Sequence, residues 1–354
     1  MKYDYSKITD RLLLWYRENA RVLPWRSEPK PYYVWVSEIM LQQTRVEAVK
    51  EYFKRFIKEL PDIEALSMVK EEKLLKLWEG LGYYNRARNL KKAAAVVMEE
   101  YNGELPSEYG ELLKLPGIGS YTAGAISSIA YQRAVPAVDG NVLRVTKRLS
   151  AGYEDITKEA VKKEIFAELQ KAMPVSEPGN FNQALMELGA LVCIPNGKPL
   201  CFSCPLQELC LACQQEVVME LPVKPAKKGR KIEEKTVLVL EYQGKYALHK
   251  RSEKGLLAGL WEFPGLAGKF SIERIEHLLE ENKITEYRME LLGEAKHIFS
   301  HVEWHMLGYG IGIEKENKAF EGCELYSELV WVEKERLERE YALPSAFKAY
   351  KDKL

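Results

Sequence analysis

The chain has no excess of charge of either sign: 52 Lys and Arg stand against 52 Asp and Glu in 354 residues. Bulk electrostatics therefore do not announce a nucleic-acid partner. The split along the chain is uneven but slight, with 24 basic and 19 acidic residues in 1–150 and 28 and 33 in the remainder. Long apolar runs are missing too. One of the strongest, around Val237 to Leu240, falls far short of the roughly 20 residues that span a bilayer. Near the N-terminus Ile8, Leu12, Leu13, Trp15 and Tyr16 are interspersed with charges. That is the pattern of an amphipathic helix, not of a signal peptide, and it places the chain in the cytosol. Repeats and low-complexity tracts are absent, and the composition is that of a soluble globular protein. At this length two domains are the natural reading.

Cysteine is scarce outside one stretch. Of six, five are Cys193, Cys201, Cys204, Cys210 and Cys213, and Cys323 stands apart. Disulfides would not crowd in this way, and a cytosolic chain should not carry them. The crowd reads as a metal or iron–sulfur site. Cys193-x7-Cys201-x2-Cys204-x5-Cys210 supplies four thiolates in eighteen residues. Four suffice for a 4Fe–4S cluster or for structural zinc, and spacing alone does not choose between them. Cys213 is one more than either needs.

Up to about residue 220 the periodicity is helical. Residues 41–60 set Val46, Val49, Tyr52, Phe53 and Phe56 at three- and four-residue spacing, and 86–101, 120–131 and 158–172 carry similar stripes. Pro61, Gly80, Gly82, Pro106, Pro116-Gly117 and Pro136 fall between them. Residues 222–235 are basic and Pro-containing, which suits a solvated linker and would also suit a path along phosphates. Two strand-like runs then flank Gln243-Gly244, a short helix covers 271–282, and 301–313 returns to strand. The expected architecture is multidomain: an all-α domain over 1–221, a linker over 222–235 and a small α+β domain over 236–354.

Leu115-Pro116-Gly117-Ile118-Gly119-Ser120-Tyr121-Thr122-Ala123 is a turn feeding a helix. Glycines at 117 and 119 let the backbone curl closely, and free N–H groups at a helix start suit a phosphate. Taken alone, this is also an ordinary interhelical turn. The whole nonapeptide resembles the helix–hairpin–helix element of the base-excision DNA glycosylases, here near 110–130. The run Cys193 to Cys210 resembles the cluster loop of the endonuclease III/MutY superfamily, whose usual pattern is C-x6-C-x2-C-x5-C. The first interval here is one residue longer, so the loop must bulge. The resemblance implies a 4Fe–4S cluster on Cys193, Cys201, Cys204 and Cys210, and DNA-backbone contacts at Gly117 and Gly119.

Lysine is missing where a lyase needs one. Bifunctional members put a lysine at the position of Tyr121 to form a Schiff base, which a phenol cannot do. The match therefore implies a monofunctional glycosylase. Seventeen residues beyond Thr122 stands Asp139, in Val138-Asp139-Gly140-Asn141. Asp before Gly commonly caps a helix or opens a turn. The resemblance implies instead a carboxylate beside the sugar of a flipped nucleotide, with Asn141 near the substrate.

Glu38 sits among Trp35, Val36, Ile39 and Met40. A lone helix glutamate is ordinarily on the surface, but apolar company raises a carboxyl's pKa and lets it arrive protonated as a general acid. The run from Trp35 to Thr44 resembles the active-site helix of the MutY-type adenine glycosylases. That resemblance implies that Glu38 protonates N7 of adenine, making it a neutral leaving group, while ionised Asp139 faces an oxocarbenium-like sugar. Arg21, Trp25 and Arg26 match residues near the adenine pocket. Gln43, Thr44 and Tyr83 match residues near the vacated gap and 8-oxoguanine. Gln183 matches an adenine-edge contact that is Glu in other members.

Gly259-Leu-Trp261-Glu-Phe-Pro264-Gly265 resembles the start of a Nudix fold, but the catalytic box does not follow. The segment from Glu276 through Glu280 and Glu281 lacks both the Arg-Glu pair and the Gly after the glutamates. The carboxylates left are too few for a magnesium-dependent pyrophosphatase. The domain therefore looks like the 8-oxoguanine reader of the MutY family, with Phe299-Ser300-His301 matching its recognition loop; a plain strand-end turn is the alternative. The resemblance covers nearly the whole chain. It implies a monomeric, nucleoid-associated prokaryotic enzyme that releases adenine opposite 8-oxoguanine or guanine in duplex DNA. Three rivals are a glycosylase-lyase, opposed by Tyr121 and residues 237–354, a non-catalytic damage sensor, and a Nudix hydrolase with a helical appendage, opposed by the broken box.

Overall fold

The computed structural model describes residues 3–226, 229–282, 284–314 and 329–354, so Cys323 lies outside the described residues. The chain divides into two compact units, Met1–Val69 with Arg88–Ala226 and Lys70–Ala87 with Lys227–Leu354. Among the described residues no helix is long and apolar enough to cross a membrane.

The first unit is helical. Its helices are α1 (Thr9–Asn19), α2 (Pro24–Ser27), α3 (Pro31–Leu41), α4 (Val46–Glu59) and α5 (Ile63–Met68). After α6 (Glu71–Leu77), in the second unit, follow α7 (Asn85–Glu100), α8 (Tyr109–Leu112), α9 (Ser120–Ala125) and α10 (Gly140–Leu149). Then come α11 (Glu159–Ala172), α12 (Pro178–Leu191) and α13 (Leu211–Gln214). Prolines open α2, α3 and α12 at the position where a missing N–H costs nothing. Phe181, Ala184, Leu185 and Leu188 form one buried face of α12. They pack with Leu12 and Leu13 of α1 and Val142, Val145 and Leu149 of α10. Burying each such leucine or valine contributes about 1.5–3 kcal/mol.

The stripe at 120–131 is helical in two pitches. α9 passes at Ile126 into a π-helical turn that runs to Ala130, and Ser128 Oγ donates to the Gly124 carbonyl at 2.7 Å. A Cβ at Gly124 would meet the Pro136 carbonyl oxygen, which stands on fixed backbone. This close approach draws the helix carrying Tyr121 toward the segment that leads to Asp139.

Among the described residues the second unit is a mixed seven-stranded sheet with helices. Its strands are β1 (Lys231–Tyr242), β2 (Lys245–Lys250), β3 (Trp261–Glu262), β4 (Gly265–Ala267), β5 (Tyr287–Ile298), β6 (Val302–Ile313) and β7 (Leu329–Glu333). The order is β3-β2-β1-β6-β5, with β4 also on β1 and β7 on β2. β1 and β6 run parallel from Lys231↔Val302 to Tyr242↔Ile313, and the other pairs are antiparallel. Alternation along β1 sends Val237 and Val239 to one core with Trp304 and Met306. Leu238 and Leu240 go to the other, with Ile275 and Leu279 of α14 (Ile272–Glu281). α15 (Lys334–Glu340) and α16 (Lys348–Lys351) complete the unit.

Three features differ from the sequence reading. The basic stretch 222–235 is strand from Lys231 onward, because β6 offers that backbone a parallel partner. β3, β4, β5 and β7 went unread: β3 and β4 are only two and three residues long, and the bulge between Leu291 and Gly293 breaks the alternation of β5. Residues 70–87 sort with the second unit, where Lys76 Nζ donates to the Tyr341 carbonyl at 3.0 Å and Glu79 Oε1 accepts the Leu343 N–H at 3.0 Å. Replacing Gly124 with Ala should destabilise the protein by about 1–3 kcal/mol through overpacking. Urea unfolding of the two proteins measures this, and an unchanged midpoint would contradict the close approach.

Candidate active site

One cleft of about 630 Å³ in the first unit gathers Arg21, Trp25, Arg26, Glu38, Gln43, Thr44, Gly119, Tyr121, Asp139, Asn141 and Gln183. α3 contributes Glu38, 5 % exposed, because its flanking residues Trp35, Val36, Ile39 and Met40 are all core. The glutamate cannot leave that side of the helix without burying itself elsewhere. Tyr121 OH, from the first turn of α9, donates to Glu38 Oε2 and lies 3.3 Å from Met186 Sδ.

Asp139 unites the two readings of its sequence context. It is the N-cap of α10, with Oδ1 accepting the Val142 N–H at 2.7 Å, and it also lines the cleft. Oδ2 accepts from Asn141 Nδ2 at 2.7 Å, and Asn141 Oδ1 in turn accepts from Arg144 Nη2 at 2.9 Å. A cap and a site carboxylate are thus one residue.

Withdrawal from water pushes Glu38 up to about 7, the neighbouring Asp139 adds to the rise, and the Tyr121 hydrogen bond and Arg26 oppose it. Burial also raises Asp139, while the Val142 N–H and the Asn141 amide pull it back. Tyr121, buried beside both carboxyls, is raised well above 10 and remains a proton donor. The two carboxyls therefore have different surroundings. One has a single hydroxyl donor among apolar side chains; the other has fixed N–H donors that favour its anion.

Arg21 and Arg26 do not point freely into the cleft. Both are engaged by Glu187, which the sequence reading missed. Gln183, Met186 and Glu187 follow one another at helical spacing along α12 and all line the cleft, a stripe that could have flagged the third from the first. Gln43 has φ +60°, a conformation uncommon for a side-chain-bearing residue and met at functional sites. Gly117, at φ +78° with Asn89 Cβ 2.6 Å from where its own Cβ would lie, needs to be glycine. Gly119 does not need it for conformation. It caps α9 in extended backbone with open space around it, so its lack of a side chain only uncovers the helix start.

Four further candidates belong to the second unit. Tyr83 is 49 % exposed with φ +46°, and its ring lies 5.6 Å from the Arg86 guanidinium. Phe299, Ser300 and His301 form the tight turn from β5 to β6, closed by the Phe299 N–H on the Val302 carbonyl at 2.9 Å. The Phe299 ring stacks edge-on to His297 and Trp304, which leaves Ser300 and His301 exposed at the tip.

Cys193, Cys201, Cys204, Cys210 and Cys213 line one apolar pocket with Arg148. Among the described residues no three donors converge as one metal ion would require. Arg148 Nη1 donates to Cys193 Sγ at 3.3 Å, and its Nε to the Leu221 carbonyl at 2.9 Å. The extra residue of the first interval is absorbed in a turn with Gly197 at φ +78°, closed by the Leu200 N–H on the Val192 carbonyl at 2.9 Å. Burial pushes Cys204 up to about 12 and Cys210 up to about 11. These sulfurs would be thiolates only beside a strong positive centre. A wall of thiols with one guanidinium donor fits an anionic iron–sulfur group.

A carboxyl raised by burial binds its proton more tightly folded than unfolded. Its stability contribution is therefore best below the unfolded value near 4.5 and declines as pH rises through about 7. Glu38→Gln should raise stability by about 2–3 kcal/mol at pH ~8 and change it little at pH ~4. Urea midpoints at the two pH values check this; equal effects at both would deny that Glu38 is desolvated.

Residues 36–171 match the model of the HhH-GPD superfamily of base excision DNA repair proteins, and residues 236–353 match the NUDIX domain. An adenine DNA glycosylase from Mus musculus is 36 % identical over 88 % of this chain and 72 % of its own length. One from Buchnera aphidicola of Schizaphis graminum is 36 % identical over 86 % of each chain. The solved structure of a thermostable thymine-DNA glycosylase aligns at TM-score 0.53 and 27 % identity, covering 60 % of this chain and 97 % of that one. A trapped endonuclease III–DNA covalent intermediate aligns at 0.51 and 28 %, covering 59 % and 95 %.

Proposed function

The chain belongs to the adenine DNA glycosylase family, and we propose that it acts on adenine mispaired with 8-oxoguanine or guanine, by acid-assisted release without lyase chemistry. It is a DNA N-glycosylase of base-excision repair with a helical HhH-GPD domain and a Nudix-like domain. The observation that carries the mechanism is the pairing in one cleft of an apolar, protonatable Glu38 with a hydrogen-bonded Asp139.

The adenine swings out of the duplex into the cleft, since the reacting bond is out of reach inside the stack. Tyr121 donates to Oε2 of Glu38, which leaves Oε1 to carry the acidic proton. Glu38 gives that proton to N7, so the base departs neutral. Asp139, its charge supported by Val142 and Asn141, stabilises the cationic sugar, and water adds at C1′, giving its proton to the Glu38 carboxylate left by the first transfer. No amine stands where Tyr121 stands, so no Schiff base forms. Arg21, Trp25, Arg26 and Gln183 contact the base, Gln43, Thr44 and Asn141 the adjoining nucleotides, and Gly117 and Gly119 a phosphate. In the second unit, exposed Ser300 and His301, with Phe299 and Tyr83, read the opposite 8-oxoguanine. The protein works on duplex DNA as a cytoplasmic monomer.

Cys193, Cys201, Cys204 and Cys210 would hold a 4Fe–4S cluster, which supplies four sulfur–iron bonds and a one-electron redox centre. The protein's own part is to fasten residues 193–210 against α10 through Arg144 and Arg148, with Arg144 Nε donating to the Cys193 carbonyl at 2.7 Å.

Single-turnover adenine release from a duplex with adenine opposite 8-oxoguanine tests the reading. The wild type should release adenine with no borohydride-trapped adduct, at a rate that falls as pH rises through about 7. Glu38→Gln should be slower by about 10²–10⁴-fold. Tight lesion binding without release by the wild type would leave only a damage sensor. For the cysteines, Cys204→Ser should lose bound iron and visible absorbance on purification, whereas retention of both would remove Cys204 from the ligand set.

A further inference from the structure

Glu187 is 1 % exposed, yet it lines the cleft. Four N–H groups converge on its two oxygens. Arg21 supplies its backbone N–H at 3.0 Å, Nε at 2.7 Å and Nη2 at 2.9 Å, and Arg26 supplies Nη2 at 2.9 Å. Arg26 also donates Nη1 to the Arg21 carbonyl at 3.1 Å and lies 5.8 Å from the centre of the Tyr16 ring. Arg21 precedes α2, Arg26 lies within it, and Glu187 is on α12, so the carboxylate ties two distant segments into one wall. A free arginine would sweep many rotamers through the cleft or reach for a phosphate. These two are held by planar, charge-assisted contacts.

We propose that Glu187 is a positioning residue for base release: it holds Arg21 and Arg26 as one wall of the cleft and sets the net positive charge that the Glu38 acid faces. This rests on the reading of Glu38 as the proton donor. Two guanidiniums against one carboxylate leave a single net charge. Arg26 favours the Glu38 anion, and Glu187 is ion-paired with Arg26 and Arg21 in the same cleft. The groups facing Glu38 are Tyr121 from α9, Asp139 at the cap of α10 and Arg26 from α2. Those facing Glu187 are Arg21, Arg26 and the Tyr16 phenol of α1, and Glu47 of α4 acts on Arg21. Neutralising Glu187 leaves both arginines uncompensated, so Glu38 loses its proton at a lower pH. A purely structural carboxylate would have no reason to move that titration.

The test is the pH profile of single-turnover adenine release, from about pH 5 to about pH 9, for wild type, Glu187→Gln and Glu187→Asp on the same 8-oxoguanine duplex. Glu187→Gln should move the alkaline limb down by about one pH unit, giving roughly tenfold slower release at pH ~8 and near wild-type release at pH ~5.5. Glu187→Asp keeps the charge and should keep the limb in place. A Gln limb coincident with wild type, or a uniform loss at every pH, overturns the proposal. If Glu187→Gln fails to fold, Arg26→Gln is measured instead: it removes the cation that faces Glu38 and should move the alkaline limb upward. A limb coincident with wild type overturns the proposal. A wild type that releases no adenine would instead overturn the reading of the site, so the two failures are distinguishable.

Discussion

Withdrawal of the Glu38 carboxyl from water is the constraint on which the rest of the site depends. An exposed glutamate would be ionised near neutrality and useless as an acid. Its burial among Trp35, Val36, Ile39 and Met40 raises it to about 7, where protonated and ionised forms are both populated. The Tyr121 phenol, itself kept protonated by the same burial, is the donor that makes this desolvated position tolerable. Asp139 has the opposite surroundings, and its donors come from the start of α10. A helix cap is a low-cost place to stabilise an anion because those N–H groups have no partner in the helix.

Close backbone approach brings these groups together. Gly124 lets α9 lie against the Pro136 carbonyl, and the buried face of α12 packs α1 and α10 on one core. The same α12 then carries Gln183, Met186 and Glu187 along the cleft, so its packing also aims these side chains. Glu187 shows how economical this is: one buried carboxylate secures two arginines of a short segment that Leu23 and Trp25 already anchor in the core.

The sheet of the second unit is two-faced, each side of β1 feeding a separate core, and α14 packs on one of them through Ile275 and Leu279. At the β5–β6 turn Ser300 and His301 stand exposed beside Phe299, whose ring meets His297 and Trp304 edge-on. The hydrogen bonds of Lys76 and Glu79 explain why residues 70–87 sort with this unit although their sequence is plainly helical and local.

Local pattern alone determined much of this protein. The stripes over 158–172, the cysteine spacing and the apolar company of Glu38 depend only on neighbours in sequence. So do the helical character of the first unit and the α+β character of the second, whereas the phenol in place of a lysine was legible only through resemblance to a family. Periodicity and local chemistry need no long-range information. The tertiary structure decided the rest. It showed that Asp139 is cap and cleft carboxylate at once, and that 231–235 is strand because β6 lies beside it. It also showed that Gly119 is not conformationally required, and that Arg21 and Arg26 answer to Glu187, some 160 residues away along the chain. The strand and the arginine pairing turn on partners distant in sequence, and charge and hydrogen-bond complementarity across such distances exist only once the chain has packed.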